Sequence, residues 1–186
     1  MATSFVYGIQ IGWFSLGGVT SGPHLDRSCG PMGTYDQWMD PHYAPEVAFL
    51  QLLEHSRGTV SAYVTDGRLV LPPTLTPTPP IFKANTPGIL NPGPFPVVSH
   101  AAWRLDRTQT VVFLFAAATH TAFTTSVTAD MRDYDFPEAG TTTFSISQIN
   151  PDGSRTRVGT AARGLVTLPV TVGGRAVLMY EIAALS

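Results

Sequence analysis

The sequence predicts a mainly β protein: an antiparallel β-sandwich of about seven to eight strands, preceded by a unit made of a strand, a long loop and a helix. The most continuously apolar stretch, TVVFLFAAA at 110–118, is rich in β-branched and aromatic residues. From residue 97 onward, short strand-like segments alternate with turn residues, and no helical pattern intervenes. Charged residues make up only 13%, and threonine, which suits a pleated surface, supplies much of the remaining polarity.

The 110–118 run is expected to be the central strand of the sandwich. It is too short for a membrane-spanning helix, which needs about 20 apolar residues. Its composition favours a strand buried on both faces, although periodicity alone does not distinguish it from a buried helix segment. Its predicted partner strands are 97–105, 121–129, 141–148, 155–160, 164–168 and 175–183. The tetrapeptide Asn-Pro-Asp-Gly at 150–153 predicts a hairpin turn.

The first 71 residues predict a different arrangement. The segment 4–14 (SFVYGIQIGWF) alternates apolar and small residues and predicts a strand. The segment 45–63 predicts a helix, because Pro45 and Glu46 suit a first turn and apolar residues recur at helical spacing. Gly58 costs about 1 kcal/mol relative to Ala inside a helix, so the helix is expected to end or bend there. A short strand at 68–71 follows.

The segment 72–96 is rich in proline and predicts an extended, irregular connection rather than the interior of a sheet. Ile81 and Phe82 within it are expected to pack on the surface of the fold. The chain therefore divides into a strand–loop–helix unit at 1–71, a proline-rich connection at 72–96 and a β-sandwich at 97–186.

Composition excludes some classes of partner and leaves the compartment open. A net charge of −2 gives no electrostatic support for binding nucleic acid or an anionic membrane. Cys29 is the single cysteine, so no internal disulfide is available. Residues 1–13 lack the features of a signal peptide, which places the protein in the cytoplasm if this N-terminus is genuine. Since the chain reads as a strand from its first residues, it either begins abruptly inside a fold or is a fragment of a longer protein.

Five stretches together carry a resemblance to a known family. They are YGIQIGW at 7–13, AYVTDGRLVLPP at 62–73, TVVFLFAAA at 110–118, INPDGSRTRV at 149–158 and AVLMYEI at 176–182. In this order they resemble the C-terminal part of a glycoside hydrolase with a TIM-barrel catalytic domain and an appended β-sandwich. The resemblance implies that only the last strand–helix unit of a barrel is present. The strands that usually carry the two catalytic carboxylates would then be absent.

The long loop at 16–40 holds the densest cluster of polar and aromatic residues in the chain. The resemblance implies that 15–40 corresponds to a loop at the active-site face of the barrel. The candidate substrate-binding residues are Asp26, Arg27, Tyr35 and Trp38. For Trp38, stacking on a sugar and anchoring of the loop are equally supported.

Asp36 and Asp40 are weak candidates for a catalytic pair of carboxylates. Capping of the following helix is the better interpretation of Asp40, because Asp side chains accept hydrogen bonds from nearby backbone N–H groups. His24, Asp26 and Cys29 match no standard zinc spacing, so the sequence predicts no metal site and no cofactor.

Three functions follow from these observations. The first is a non-catalytic or incomplete carbohydrate-associated domain, which either supports a neighbouring domain or contacts sugar through the 15–40 loop. The second is a self-assembling structural protein that pairs through the 4–14 strand, since exposed apolar strands seek partners. The third is a small glycoside hydrolase that uses Asp36 and Asp40. The expected partners are a carbohydrate, together with further copies of the chain or the missing barrel domain.

Overall fold

The structure, a computed structural model, describes residues 2–9, 41, 44–82, 94–137 and 143–185. Three helices precede the strands: α1 (Ala2–Val6), α2 (Ala44–Thr59) and α3 (Ser61–Asp66). The first four strands are β1 (Arg68–Val70), β2 (Thr74–Thr76), β3 (Ile81–Phe82) and β4 (Phe95–Pro96). The remaining strands are β5 (Val98–Leu105), β6 (Thr110–Ala117), β7 (Phe123–Asp130), β8 (Thr143–Ile149), β9 (Arg155–Ala162), β10 (Leu165–Val172) and β11 (Val177–Leu185). The chain is mainly β, as the sequence predicts.

The strands form two main sheets, and every pairing in them is antiparallel. The larger sheet has the order β1-β5-β6-β11-β8-β9, and the smaller has the order β10-β7-β2. Strands β3 and β4 form a separate two-stranded ribbon. The smaller sheet packs on one face of the larger sheet, and the helices cover the other face. The predicted antiparallel sandwich is thus confirmed, with a helical layer on its outside.

Strand β6 lies at the centre of this arrangement and is buried along its whole length. Side chains alternate across a strand, so β6 serves two cores. Phe113 and Phe115 point into the core between the sheets. Val112 and Leu114 point into the core beneath the helices. The prediction of a strand buried on both faces is confirmed.

The helix predicted at 45–63 is present, but it is divided. Pro45 and Glu46 lie in the first turn of α2, as expected. The chain leaves the helix at Val60, two residues after Gly58, and resumes as α3. Leu53 is fully buried on the inner side of α2 and packs in the core beneath the helices.

The predicted strand at 4–14 is wrong wherever the structure describes it. Residues 2–6 form helix α1, and residues 10–14 lie outside the described residues. Phe5 and Val6 are fully buried in the core beneath the helices. The Trp103 Nε1 donates a 2.8 Å hydrogen bond to the Val6 carbonyl oxygen. Gly8 then turns the chain with a φ of +66°, a conformation that favours glycine.

The physical reason is that a short apolar run can form one turn of helix as readily as a strand. Here a helical turn brings Phe5 and Val6, which are neighbours in sequence, into the same core. In a strand these two side chains would point to opposite faces. The described residues 4–9 do not form the strand on which the predicted self-assembly depends: Phe5 and Val6 are buried within the chain, whereas Tyr7 and Ile9 are exposed after α1. Pairing between copies of the chain stays a prediction.

The proline-rich segment contributes more to the sheets than the sequence predicts. Strand β2 pairs with β7 at the edge of the smaller sheet, a position compatible with the neighbouring prolines. Ile81 is 67% exposed, so the expectation that it packs on the fold is wrong. Strand β1 joins the larger sheet through β5, so contacts cross the boundary predicted at residue 71. The division into three regions stays a prediction.

Within the described ranges, no helix is long and apolar enough to span a membrane.

Candidate functional site

The sequence-predicted site residues all lie outside the part of the chain that the structure describes. These residues are Asp26, Arg27, Tyr35, Asp36, Trp38 and Asp40. Their roles in substrate binding and catalysis therefore stay predictions. Across 2–9, 41, 44–82, 94–137 and 143–185, no group of three or more His, Cys, Asp or Glu side chains is placed to hold a metal ion.

The helix that follows the predicted loop is fastened to the sandwich at its first turn. Arg175 Nη2 donates to Glu46 Oε1 over 2.6 Å, and this bond holds the pKa of the Glu46 carboxyl below its usual value. The backbone N–H of Arg175 donates to the Thr119 carbonyl oxygen over 2.7 Å. A Cβ at the preceding Gly174 would lie 1.9 Å from the His120 carbonyl oxygen, so only glycine fits there. The start of α2 is thus tied to the turn between β10 and β11.

An open cleft lies at the other end of α2. It is bounded by the last turns of that helix and by the turn at 150–154, which joins β8 to β9. Its volume is about 450 Å³. The lining residues are Glu54, His55, Gly58, Thr59, Pro151, Asp152, Gly153 and Arg155. This cleft is a concave site among the described residues, and several of its side chains are polar.

The two walls of the cleft are joined by a network of hydrogen bonds. Thr59 Oγ1 donates to the Pro151 carbonyl oxygen over 2.7 Å, which ties the helix to the turn. Asp152 Oδ1 accepts from the backbone N–H and the hydroxyl of Ser154, over 2.9 and 2.6 Å. These bonds lower the pKa of the Asp152 carboxyl, and the charge of His55 contributes in the same direction. The Asp152 side chain is therefore an ionised acceptor with a defined orientation at neutral pH.

Behind the cleft, a second network fixes Arg155. Its Nε and Nη2 donate to the two carboxylate oxygens of Glu181, over 2.9 and 3.1 Å. The Tyr63 hydroxyl lies 2.7 Å from Glu181 Oε2 and 2.7 Å from Thr110 Oγ1. Since it has one proton, it donates to the carboxylate and accepts from the threonine hydroxyl. Burial raises the pKa of Tyr63, so the hydroxyl stays protonated.

The sequence predicts each wall of this cleft, but it does not predict that the two walls contact each other. The turn at 150–153 follows from Asn-Pro-Asp-Gly, and a break in the helix follows from Gly58. Their contact joins residues 92 positions apart in the sequence, Thr59 and Pro151, and no local pattern reports it. The two glycines that line the cleft, Gly58 and Gly153, are the features of the sequence that could have indicated it.

Comparison with known proteins identifies one clear relative. No protein-family model matches this chain. The protein "Putative glycoside hydrolase 22789" of Monosiga brevicollis is 33% identical to it over 183 residues. The match takes in 98% of this chain and 15% of the relative, so the chain spans about a seventh of that protein's length.

Three solved structures give weaker likenesses. An α-galactosidase of Saccharomyces cerevisiae solved with raffinose has a TM-score of 0.37 and 11% identity, over 70% of this chain and 36% of its own. A glycoside hydrolase has a TM-score of 0.38 and 12% identity, over 86% and 30%. CelM2, a bifunctional glucanase-xylanase from a metagenome library, has a TM-score of 0.30 and 12% identity, over 54% and 20%.

Structural likenesses at these TM-scores carry no argument about the site. The sequence match is different, because 33% identity runs along nearly the whole chain. It agrees with the resemblance found in the five sequence stretches. This chain is therefore homologous to one segment of a longer protein that is named as a putative glycoside hydrolase.

Proposed function

We propose that this chain is a carbohydrate-associated module, equivalent to the C-terminal region of a longer glycoside hydrolase-like protein, and that it does not hydrolyse glycosides by itself. The observation that carries the proposal is the extent of the match. It covers 98% of this chain but only 15% of the relative, so most of that protein has no counterpart in these 186 residues.

Three of the described carboxylates are held by arginines, which supports a non-catalytic role for them. A glycosidase needs two carboxyl groups that flank the scissile bond, one of them free to donate or accept a proton. Glu46 is bonded to Arg175, Glu181 is held by Arg155, and Asp130 is held by Arg132. The arginine at Asp130 lowers the pKa of that carboxyl to about 2, which is unsuited to a general acid at neutral pH. These three acids act as structural partners of arginines.

The role that remains for the module is to support a neighbouring domain and to contact sugar through the 15–40 loop. Trp38 is the residue that we assign to sugar stacking, and Tyr35, Asp26 and Arg27 belong to the same 15–40 loop. Helix α2 supports this assignment, because it begins directly after the loop and its first turn is fastened to the sandwich by Arg175.

The absence of hydrolysis is tested by incubating the purified chain with a broad panel of aryl glycosides and oligosaccharides. We expect no turnover above the uncatalysed rate. Turnover that disappears in both Asp36→Asn and Asp40→Asn would overturn the proposal and establish a small glycoside hydrolase. Asp66→Asn is the matched control, because it makes the same chemical change at a half-exposed acid that pairs with Arg107.

Sugar contact through the loop is tested by titrating the chain with oligosaccharides. Trp38→Ala is expected to weaken binding about tenfold, since stacking of an aromatic ring contributes on the order of 1 kcal/mol. Tyr7→Ala serves as the control, because Tyr7 is an aromatic residue outside the loop and is 43% exposed. Equal affinity in the parent, Trp38→Ala and Tyr35→Ala proteins would show that the loop does not bind the sugar.

A further inference from the structure

We propose that the cleft between α2 and the turn at 150–154 binds a neutral saccharide ring. The inference rests on the proposed carbohydrate association and extends it to a second place in the molecule, formed by residues outside the 15–40 loop. It is carried by three features of the cleft: its open space, its fixed walls and its mixed set of hydrogen-bonding groups.

The space is kept open by two glycines. A Cβ atom built on Gly58 meets no other atom within 4 Å. At Gly153, with a φ of +84°, the nearest atom to such a Cβ is the Thr59 Cγ2 at 4.0 Å. Both walls of the cleft therefore have backbone where a side chain would narrow it. The resulting volume of about 450 Å³ lies in the range of small-molecule sites, roughly 300–1,000 Å³.

The walls are held in place before any ligand arrives. The hydrogen bond from Thr59 to Pro151 joins them directly. Within the turn, the backbone N–H of Asn150 donates to the Ser154 carbonyl oxygen over 2.9 Å, and their side chains are bonded over 2.9 Å. Since these groups are already ordered, a ligand pays little conformational entropy to fit between them.

The polar groups of the cleft suit hydroxyl groups. Asp152 has one carboxylate oxygen engaged by Ser154, which leaves Oδ2 as an acceptor. Glu54 adds a second carboxylate, and His55 adds a ring nitrogen. Arg155 is fixed by Glu181 through Nε and Nη2. Its Nη1 donates to the Gly153 carbonyl oxygen over 3.5 Å and carries a second N–H that can donate to a ligand. A sugar hydroxyl both donates and accepts hydrogen bonds, so donors and acceptors on opposite walls match a polyhydroxylated ring.

The same lining argues against other ligand classes. Two carboxylates, Glu54 and Asp152, repel phosphate and other anions. The lining has no Phe, Tyr or Trp ring and no large aliphatic side chain, so an apolar molecule gains little by entering. Hydrogen bonds in an open cleft are offset by lost hydration, and we therefore expect a dissociation constant on the order of 1 mM.

The experiment is a titration of the full chain with neutral methyl hexosides, followed by amide chemical shifts. We expect shifts at residues 54–59 and 150–155. Gly58→Phe fills the cleft with a ring and is expected to weaken binding at least tenfold. Gly58→Ala is the matched control: it makes the same backbone change, leaves most of the space open and should bind within twofold of the parent. Thermal melting of both variants confirms that they fold.

Several outcomes would overturn the proposal. One is unchanged affinity in Gly58→Phe, and another is the absence of shifts in the parent with any neutral hexoside. Binding of glucosamine alone would identify a site for cations, and binding of glucuronate alone would identify a site for anions. Affinity lost in Trp38→Ala but kept in Gly58→Phe would place all sugar contact in the loop. That last result would leave the proposed function standing, whereas turnover by the parent chain would overturn the proposed function without bearing on the cleft.

Discussion

The two faces of strand β6 differ in what covers them. Between the sheets, Phe113 packs against Tyr134 with ring centroids 5.6 Å apart, and a second pair, Phe136 and Phe144, lies at 4.6 Å. Beneath the helices, the strand presents the smaller aliphatic side chains of Val112, Leu114 and Ala116. The aromatic face is closed by a second sheet, whereas the aliphatic face is covered by helices that leave a cleft at one end. The cleft therefore lies on the side of β6 that the helices cover.

The same contrast holds for the arginines of the two sides. Arg104 is 2% exposed and donates to Asp106, Gln109 and the Tyr134 carbonyl oxygen. Its guanidinium lies 5.2 Å from the centroid of the Phe136 ring. The side chain of Arg155, on the helix side, is 49% exposed and pairs with Glu181 at the edge of the cleft. All three guanidinium nitrogens are engaged in both arginines. Burial closes Arg104 to solvent, whereas the exposure of Arg155 leaves its remaining N–H groups accessible to a ligand.

The largest expected effect separates the two cores. Phe113→Ala and Leu114→Ala each remove a fully buried side chain from neighbouring positions of β6, and each should lower the free energy of unfolding by about 3–5 kcal/mol. The regions that loosen should differ. Hydrogen exchange should increase most in β7 and β10 for Phe113→Ala, and most in α1 and α2 for Leu114→Ala. Identical exchange patterns would show that the two cores act as one.

A smaller effect separates the two arginines. Arg104→Met should lower the free energy of unfolding by about 2–3 kcal/mol, because the Tyr134 carbonyl oxygen and the Gln109 side chain lose their buried donor. Arg155→Met should cost less than about 1 kcal/mol, since exposed ion pairs contribute little. Urea denaturation measures both variants. Equal losses would contradict the distinction between a structural and an available arginine.

The smallest effect concerns acid pH. Bonds from arginines lower the pKa of Asp106 and of Glu46 below the ordinary values of 3.8 and 4.5. The stability that these groups contribute is complete above those values and is lost as the pH falls through the lowered pKa. The urea midpoint should therefore fall between about pH 5 and pH 2, and less steeply in Asp106→Asn and Glu46→Gln. A slope unchanged in both variants would rule out these ion pairs as its source.

The sequence predicts the sandwich well because each of its strands has a local sequence pattern. All eight residues predicted at 110–117 form β6, and its partners β5 and β11 begin at residues 98 and 177, within two residues of their predicted starts. Alternation of side chains and turn residues such as Asn150–Gly153 are local signals. The helix at 45–63 is likewise recovered from its spacing, and the break expected at Gly58 occurs two residues later, at Val60.

What the sequence does not predict depends on distant contacts. Helix α1 is stabilised by the burial of Phe5 and Val6 in the core beneath the helices and by the hydrogen bond from Trp103 to the Val6 carbonyl oxygen. The residues 4–14 contain no local pattern that predicts these contacts. Arg104 lies in a strand whose alternation places it between the sheets, but one of its acceptors, the Tyr134 carbonyl oxygen, is 30 residues away. The cleft likewise depends on the long-range bond from Thr59. The predicted site residues at 26–40 lie outside the described ranges, so their prediction is not tested.

The two-sided burial of β6 has a consequence for how the chain finds its register. In most sheets, a slip by one residue exposes apolar side chains to water and is strongly penalised. In β6, a slip would only exchange Phe113 and Phe115 with Val112 and Leu114, so polarity gives little guidance. The register must be set by side-chain volume and by the tight connection to β5, where Gln109 adopts a φ of 51° and Leu105 faces Thr110. The hairpin that joins β5 to β6 therefore helps to fix the register of the larger sheet.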